Sequence, residues 1–174
     1  YLRIVVNPKD EESLKRIINY PARGIGQTTI DKLVVASKVH DLTLFETVSR
    51  AKELNISVNA GTLLKLTNFT ILMQRFHIEN EDLNAFEITD LITKKIGLVH
   101  ELKKDATPEG IARIENIEEL LNGIRDFTEG QEELADATGS LTEFLEDVAL
   151  ATDLDKDDDP NSDRVALMTI HLAK

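Results

Sequence analysis

Residues 21–29 read Pro-Ala-Arg-Gly-Ile-Gly-Gln-Thr-Thr and lie between two short segments with helical hydrophobic periodicity. Two glycines around one apolar residue allow the backbone to turn tightly and to bring its amides close to a ligand. A helix that starts directly after such a turn directs its free N–H groups and the positive end of its dipole toward the same place. An arginine precedes the turn. This combination is typical of a phosphate-binding site, so the first question is whether the chain binds nucleic acid.

The net charge of the chain argues against nucleic acid at first sight, because 32 acidic and 20 basic residues give −12. The excess is confined to residues 129–163, which contain thirteen acidic residues and one lysine. The rest of the chain has 19 acidic and 19 basic residues, and its first forty residues carry seven basic and four acidic side chains. The net charge is therefore a poor guide to the surface around residues 21–29.

Composition limits the class of protein. Hydrophobic residues make up 41% of the 174 residues, which is enough for a core, and no run of about 18 apolar residues predicts a membrane span. The absence of cysteine excludes disulfides and thiolate metal sites and fits a cytoplasmic protein. The sequence begins with Tyr1 rather than Met, so we expect a piece of a longer protein.

The hydrophobic periodicity is helical almost throughout and predicts an all-α, irregular multi-helix domain. We expect Thr28 to form a capping box with Asp31 at the start of the helix after the turn. Gly97 is a predicted helix stop, and Pro108 is a predicted first helical position. The predicted helices span residues 10–18, a segment from Thr28, residues 43–53, 59–76, 85–96, a segment from Pro108, and residues 141–151.

The last part of the chain differs in character. Residues 129–139 are predicted to form an acidic linker, and residues 153–163 an acidic loop. Residues 164–170 have the pattern of a strand, which has no partner in this chain. We therefore expect that strand to belong to a sheet formed with residues outside this sequence.

No catalytic or metal site is predicted. The four histidines have no metal-ligand spacing, and neither an HExxH pattern nor a GxxxxGK[ST] phosphate loop is present. A calcium loop starting at Asp153 fails, because Asp158 stands where glycine is needed and Arg164 where a bidentate glutamate is needed. We expect that segment to be a solvated loop.

A glycine turn between helices has an ordinary explanation, since many helical hairpins use glycine to reverse direction. Arg23, the pair Thr28 and Thr29, and Lys32 favour a second interpretation, because together with the turn they resemble a helix-hairpin-helix motif. In such motifs the glycine amides bind a backbone phosphate, and the apolar residue, here Ile25, anchors the hairpin. These contacts position a duplex without reading its sequence. Arg23 and Lys32 would add attraction that depends on salt.

Several blocks then occur together in the order known from one family. They are Tyr1-Leu-Arg3, Asn7-Pro8-Lys9-Asp10, the run from Arg16 to Gly26, Arg113-Ile-Glu115-Asn116-Ile-Glu118-Glu119-Leu120, and Leu167-Met-Thr169-Ile-His171-Leu-Ala173-Lys174. This set resembles the UvrD/PcrA/Rep-type superfamily 1 DNA helicases, and the resemblance spans the whole chain.

The resemblance implies that residues 1–152 form the helical 2B subdomain. Residues 153–163 would be the acidic loop, and residues 164–174 a strand and the start of motif V from the RecA-like domain 2A. The family's contacts with duplex DNA carry over to Arg23, Gly24, Ile25, Gly26, Thr28, Thr29 and Lys32. Those with single-stranded DNA carry over to Thr169 and His171.

The function implied is that of a duplex-binding, regulatory subdomain in an ATP-dependent 3′–5′ DNA helicase of DNA repair or replication. The partners implied are DNA at a duplex–single-strand junction, the remaining helicase domains, and repair proteins or a second copy. ATP and Mg²⁺ would be cofactors of the parent enzyme. The chain lacks the Walker A lysine, the acidic metal-binding motif and motif VI, so we expect the fragment alone to hold no cofactor and to be inactive.

Two alternatives stand beside this function. In the first, the chain is an acidic protein-interaction module, in which residues 129–163 recruit repair partners and DNA binding is weak. In the second, it is a helix-hairpin-helix glycosylase, which lacks support because no catalytic Asp or Lys follows the hairpin at a suggestive place.

Overall fold

A computed structural model describes residues 1–132 and 138–154 of the chain, and this part is entirely helical outside its turns and loops. The all-α prediction is confirmed for these residues. The predicted strand and nearly all of the acidic loop lie outside them. The helices are α1 (Leu2–Val6), α2 (Glu11–Ile17), α3 (Gln27–His40), α4 (Leu44–Ser49), α5 (Ala60–Glu79), α6 (Ala85–Ile96), α7 (Leu98–Leu102), α8 (Pro108–Glu132) and α9 (Leu141–Leu154).

Two short helices, α1 and α7, were not predicted. Each has five residues, too few to show a helical period, and α1 is a run of mostly apolar residues. Gly97 ends α6 as predicted, with φ +68°, and α7 starts directly after it. Helix α8 begins at Pro108 as predicted but continues to Glu132, so it includes the start of the predicted linker.

The predicted capping box of Thr28 and Asp31 is wrong. Helix α3 begins one residue earlier, at Gln27, and Gly26 is its N-cap with no side-chain hydrogen bond. The side chain of Asp31 instead accepts a hydrogen bond from Nε2 of Gln27 at 2.8 Å. Thr28 therefore lies inside the first turn, where its hydroxyl is not required as a cap. Complete capping boxes occur at the starts of α4 and α6.

Helix α5 is the centre of the hydrophobic core. It packs against α1, α4 and α6, and its inward residues Leu66, Phe69, Met73 and Phe76 are almost fully buried. Helices α8 and α9 close the other side through α6, and the rings of Phe127 and Phe144 meet edge to face at 5.4 Å. Helices α2 and α3 and the turn between them form the α2–α3 hairpin. Both of its helices pack against α4, and the inward apolar residues of both helices and of the turn belong to the same core.

The inward face of α5 provides a direct test of the core. We expect Phe76→Ala to lower the free energy of unfolding by about 3–5 kcal/mol, because the truncation leaves a cavity in a tightly packed region. Ile71→Ala is the matched control on the same helix, since Ile71 is 58% exposed, and we expect a change within about 0.5 kcal/mol. Urea unfolding followed by circular dichroism measures both, and equal losses would contradict this arrangement.

Candidate nucleic-acid interface

The turn between α2 and α3 is held by one side chain. The carboxamide oxygen of Asn19 accepts hydrogen bonds from the backbone N–H of Arg23 at 3.0 Å and of Ile25 at 2.9 Å. Between them Gly24 has φ +69°, a conformation that L side chains rarely adopt. A Cβ at Gly24 would also lie 2.6 Å from Nζ of Lys65. The backbone conformation therefore favours glycine at this position, and a larger residue would in addition displace the end of the Lys65 side chain.

Ile25 anchors the hairpin to the core. Its side chain is 0% exposed and belongs to the main hydrophobic cluster. Its backbone N–H is already paired with Asn19. The side chain and the N–H of Ile25 are therefore both used by the fold, and this residue positions the two glycines beside it.

Arg23 also faces inward, which differs from the expectation that its charge is available to a phosphate. Its Nη1 donates hydrogen bonds to the carbonyl oxygens of Ile17 at 3.0 Å and Pro21 at 3.2 Å. Its guanidinium carbon lies 5.3 Å from the centre of the Phe69 ring. The end of α2 leaves carbonyl groups without helical partners, and the guanidinium fork satisfies them. Arg23 therefore stabilises the hairpin from the inside.

Tyr1 completes the contacts of Arg23. Its hydroxyl accepts a hydrogen bond from Nη2 of Arg23 and donates one to the carbonyl oxygen of Tyr20. Burial raises the pKa of the Tyr1 hydroxyl, and the nearby positive charge of Arg23 opposes that rise. The hydroxyl therefore stays protonated at neutral pH and can keep both hydrogen bonds.

The opposite side of the hairpin presents unpaired backbone donors. Within the described residues, no protein group accepts a hydrogen bond from the backbone N–H of Gly24, Gly26, Gln27 or Thr28, and all four residues are exposed. Along the turn the amides alternate, since those of Arg23 and Ile25 are bonded to Asn19 while those of the two glycines are free. The free donors lie at the positive end of the 14-residue helix α3. This arrangement fits an anion.

Two lysines belong to this region: Lys65 contacts the turn, and Lys32 lies on the helix that follows it. Nζ of Lys32, on the second turn of α3, is 2.6 Å from the carbonyl oxygen of Ser57. Nζ of Lys65, on α5, donates to the carbonyl oxygen of Gly24 at 3.2 Å. Lys32 was predicted from the sequence, but Lys65 was not, because it is 41 residues from Gly24 and only the packing of α5 brings it there.

The other predicted site residues have different outcomes. Thr29 is partly buried in the first turn of α3, and its N–H donates to the carbonyl oxygen of Gly26 at 2.9 Å. Thr169 and His171 lie outside the described residues.

The described residues contain no group of three His, Cys, Asp or Glu side chains that could hold a metal ion. Among the helices of that same part, none is long and apolar enough to cross a membrane.

The inward contacts of Arg23 predict a stability effect. We expect Arg23→Lys to lower the free energy of unfolding by about 1–3 kcal/mol, because an ammonium group cannot reproduce the fork that reaches several carbonyls. Arg16→Lys is the control, since Arg16 is exposed on the preceding helix. Chemical unfolding measures both variants. Equal stability of Arg23→Lys and the unmodified chain would contradict a structural role for this guanidinium.

Comparison with known proteins identifies the family. A model of the UvrD-like helicase C-terminal domain matches residues 1–174. The ATP-dependent DNA helicase PcrA of Staphylococcus aureus is 34% identical over 174 residues, which is 100% of this chain and 23% of that protein. The PcrA proteins of Bacillus subtilis and Staphylococcus epidermidis are 30% and 31% identical, again over 100% of this chain and 23% of the relative. The chain thus spans 23% of the length of these curated relatives. The resemblance seen in the sequence is confirmed, and the chain belongs to the UvrD-like helicase C-terminal domain family.

Proposed function

We propose that residues 1–152 of this chain form the 2B subdomain of an ATP-dependent 3′–5′ DNA helicase of DNA repair or replication, and that the α2–α3 hairpin binds duplex DNA. The observation that carries the proposal is the set of exposed, unpaired N–H groups at Gly24, Gly26, Gln27 and Thr28. Membership of the UvrD-like family and the helicase function of the PcrA relatives support it.

The hairpin binds a backbone phosphate of the duplex. The phosphate oxygens accept hydrogen bonds from the free amides at the start of α3, and the helix dipole favours their negative charge. The hydroxyl of Thr28 is a further donor, and the positive charges of Lys32 and Lys65 attract the phosphate. None of these groups contacts a base edge, so the binding does not depend on the DNA sequence. Arg23 and Ile25 hold the hairpin in position.

In the parent enzyme the ATP-driven step takes place elsewhere. The motor domains supply the ATP and Mg²⁺ sites, and the fragment alone hydrolyses no ATP. Residues 164–174 belong to the 2A domain, where Thr169 and His171 of motif V contact the single strand. The 2B subdomain rotates relative to the motor domains, and its contacts with the duplex regulate unwinding. A free-energy difference of only a few kcal/mol shifts the equilibrium between two orientations of the subdomain, and a small number of phosphate contacts supplies that difference.

Gly26 is the best position for separating DNA binding from folding. It has φ −80° and ψ 166°, and a Cβ there meets no atom within 4 Å. Asp and Asn are equally good N-caps, so we expect both substitutions to stabilise α3 by a few tenths of a kcal/mol. Gly26→Asp places a carboxylate at the proposed phosphate site, and we expect it to weaken duplex binding about tenfold or more.

The matched variant Gly26→Asn has nearly the same shape and caps the same N–H groups without the charge. We therefore expect it to bind the duplex more tightly than Gly26→Asp, and the difference between the two variants measures the effect of the charge alone. Fluorescence anisotropy with a hairpin DNA carrying a single-stranded tail, at low salt, measures both variants. Equal affinities of the Asp and Asn variants would contradict a phosphate at this helix start.

The proposed role of Lys65 predicts a change in salt dependence. For a protein that neutralises phosphates, the logarithm of the binding constant falls linearly with the logarithm of the salt concentration. We expect Lys65→Gln to reduce the magnitude of this slope by about one. Lys38→Gln is the control, because Lys38 is in the last turn of α3, at the end opposite the hairpin. If both variants keep the original slope, Lys65 does not neutralise a phosphate.

A second candidate function, the acidic protein-interaction module, is favoured by the concentration of the whole net charge in residues 129–163. Deleting that segment would remove Leu141 and Phe144 from the core, so charge neutralisation is the better test. We expect replacement of Asp155, Asp157, Asp158 and Asp159 by Asn to raise duplex affinity moderately, and more at low salt, by removing repulsion. The same anisotropy assay measures it. Duplex binding that appears only after this replacement would favour the interaction module.

A further inference from the structure

One hydroxyl group joins the first residue of the chain to the α2–α3 hairpin. The Tyr1 hydroxyl accepts a hydrogen bond from Nη2 of Arg23 and donates one to the carbonyl oxygen of Tyr20. The carbonyl oxygen of Ile17 is farther from this hydroxyl, at 3.3 Å, and it already accepts from the N–H of Tyr20 and from Nη1 of Arg23. The single hydroxyl proton is therefore used at Tyr20, and the hydroxyl bridges the segment after α2 and the turn itself.

No other described group can replace this bridge. Among the described residues, Nη2 of Arg23 has no acceptor besides the Tyr1 hydroxyl, and the carbonyl oxygen of Tyr20 has no other donor. Nη1 of Arg23 keeps its own carbonyl acceptors, so loss of the hydroxyl would leave one half of the guanidinium fork unpaired. An unpaired donor in a half-buried place costs free energy. The side chain and backbone of Arg23 would then adjust, and Gly24 follows Arg23 directly in the chain.

The hydrophobic core holds Tyr1 in place. Tyr1 is the N-cap residue of α1, and Ile4 and Val5 of this helix are almost fully buried. Helix α1 packs against α5 and α9, and Nδ1 of His77 on α5 lies 2.9 Å from the carbonyl oxygen of Val5. The side chain of Tyr1 itself packs against the core. Its hydroxyl therefore has a defined position relative to α5, and it can fix the position of the hairpin.

We propose that Tyr1 is a positioning residue for the duplex contact, and that its hydroxyl keeps residues 20–23 in the conformation in which the hairpin binds a phosphate. The inference rests on the proposed function, because it concerns the same free amides. Tyr1 acts through Arg23, which is 22 residues later in the sequence, and it does not touch the DNA. The affinity of the hairpin for a duplex therefore depends on how α1 is placed.

Tyr1→Phe tests this role, because it removes the hydroxyl and leaves the ring in the core. We expect duplex affinity to fall about three- to tenfold, which is the effect of one lost hydrogen bond. The slope of the logarithm of the binding constant against the logarithm of salt concentration should stay the same, since Tyr1 neutralises no phosphate. Removing a phosphate contact would instead reduce that slope. In an Arg23→Lys background, Tyr1→Phe should have little further effect on affinity.

The amide spectrum of the free protein supplies a second measurement. In Tyr1→Phe we expect the resonances of Gly24 and Gly26 to shift before any DNA is added, because the turn has changed. The resonance of Gly97, at the distant end of α6, should stay in place. A purely stabilising role of Tyr1 would lower the free energy of unfolding without changing the affinity of the folded protein.

Two control variants separate positioning from general effects. Tyr20→Phe makes the same chemical change, but Tyr20 is 44% exposed and its hydroxyl has no hydrogen-bond partner among the described residues. We expect it to keep both affinity and stability. Thr89→Val removes a buried hydroxyl on α6, which donates to the carbonyl oxygen of Ala85 at 2.7 Å. We expect it to lower stability and to leave affinity unchanged.

Anisotropy with the hairpin–tail DNA at several salt concentrations, and urea unfolding, are measured for the unmodified chain, for these variants, and for Gly26→Asp and Gly26→Asn. Unchanged affinity in Tyr1→Phe, with Gly26→Asp weaker than Gly26→Asn, would overturn the positioning role and leave the proposed function standing. Equal affinities of the two Gly26 variants would overturn the proposed function and this inference with it. A reduced salt slope in Tyr1→Phe, or an affinity loss of the same size in Tyr20→Phe or Thr89→Val, would also overturn the positioning role.

Discussion

The two hydrogen bonds accepted by the carboxamide oxygen of Asn19 determine what the hairpin presents to solvent. They engage the N–H groups of Arg23 and Ile25, whereas the N–H groups of Gly24 and Gly26 have no acceptor among the described residues. The left-handed conformation of Gly24 makes this alternation possible, and the burial of Ile25 fixes it to the core. The start of α3 follows within two residues, so the free donors of the turn and of the helix are contiguous. The proposed phosphate contact depends on this local arrangement.

Positive charge serves two different purposes around the hairpin. Arg23 carries several donors in a planar fork, which suits a group of carbonyl oxygens at the end of α2. Lys32 and Lys65 are flexible point charges on the outside, which suits attraction to a phosphate. The acidic excess is confined to residues 129–163, whereas the first forty residues carry seven basic and four acidic side chains. A net charge of −12 is therefore compatible with a surface that binds DNA.

The part of the site that the sequence predicted is the part formed by neighbours in the chain. The Gly-Ile-Gly turn, the helix after it and the anchoring role of Ile25 follow from local pattern. The inward position of Arg23 was not predictable, because it depends on Phe69 and Tyr1, which are distant in sequence. Lys65 was missed for the same reason, since only the packing of α5 brings it to Gly24. The predicted capping box at Thr28 was wrong because the N-cap residue of α3 is Gly26, which has no side chain to accept a hydrogen bond.

The central claim is that the free amides of the hairpin bind a phosphate of duplex DNA. The most direct measurement is the titration of ¹⁵N-labelled protein with a hairpin–tail DNA, followed through the backbone amide resonances. The account predicts shifts at the amides of Gly24, Gly26, Gln27 and Thr28, and much smaller shifts at those of Arg23 and Ile25, which remain bonded to Asn19. If saturating DNA leaves the amide resonances of Gly24 and Gly26 unchanged while resonances elsewhere shift, the claim is contradicted.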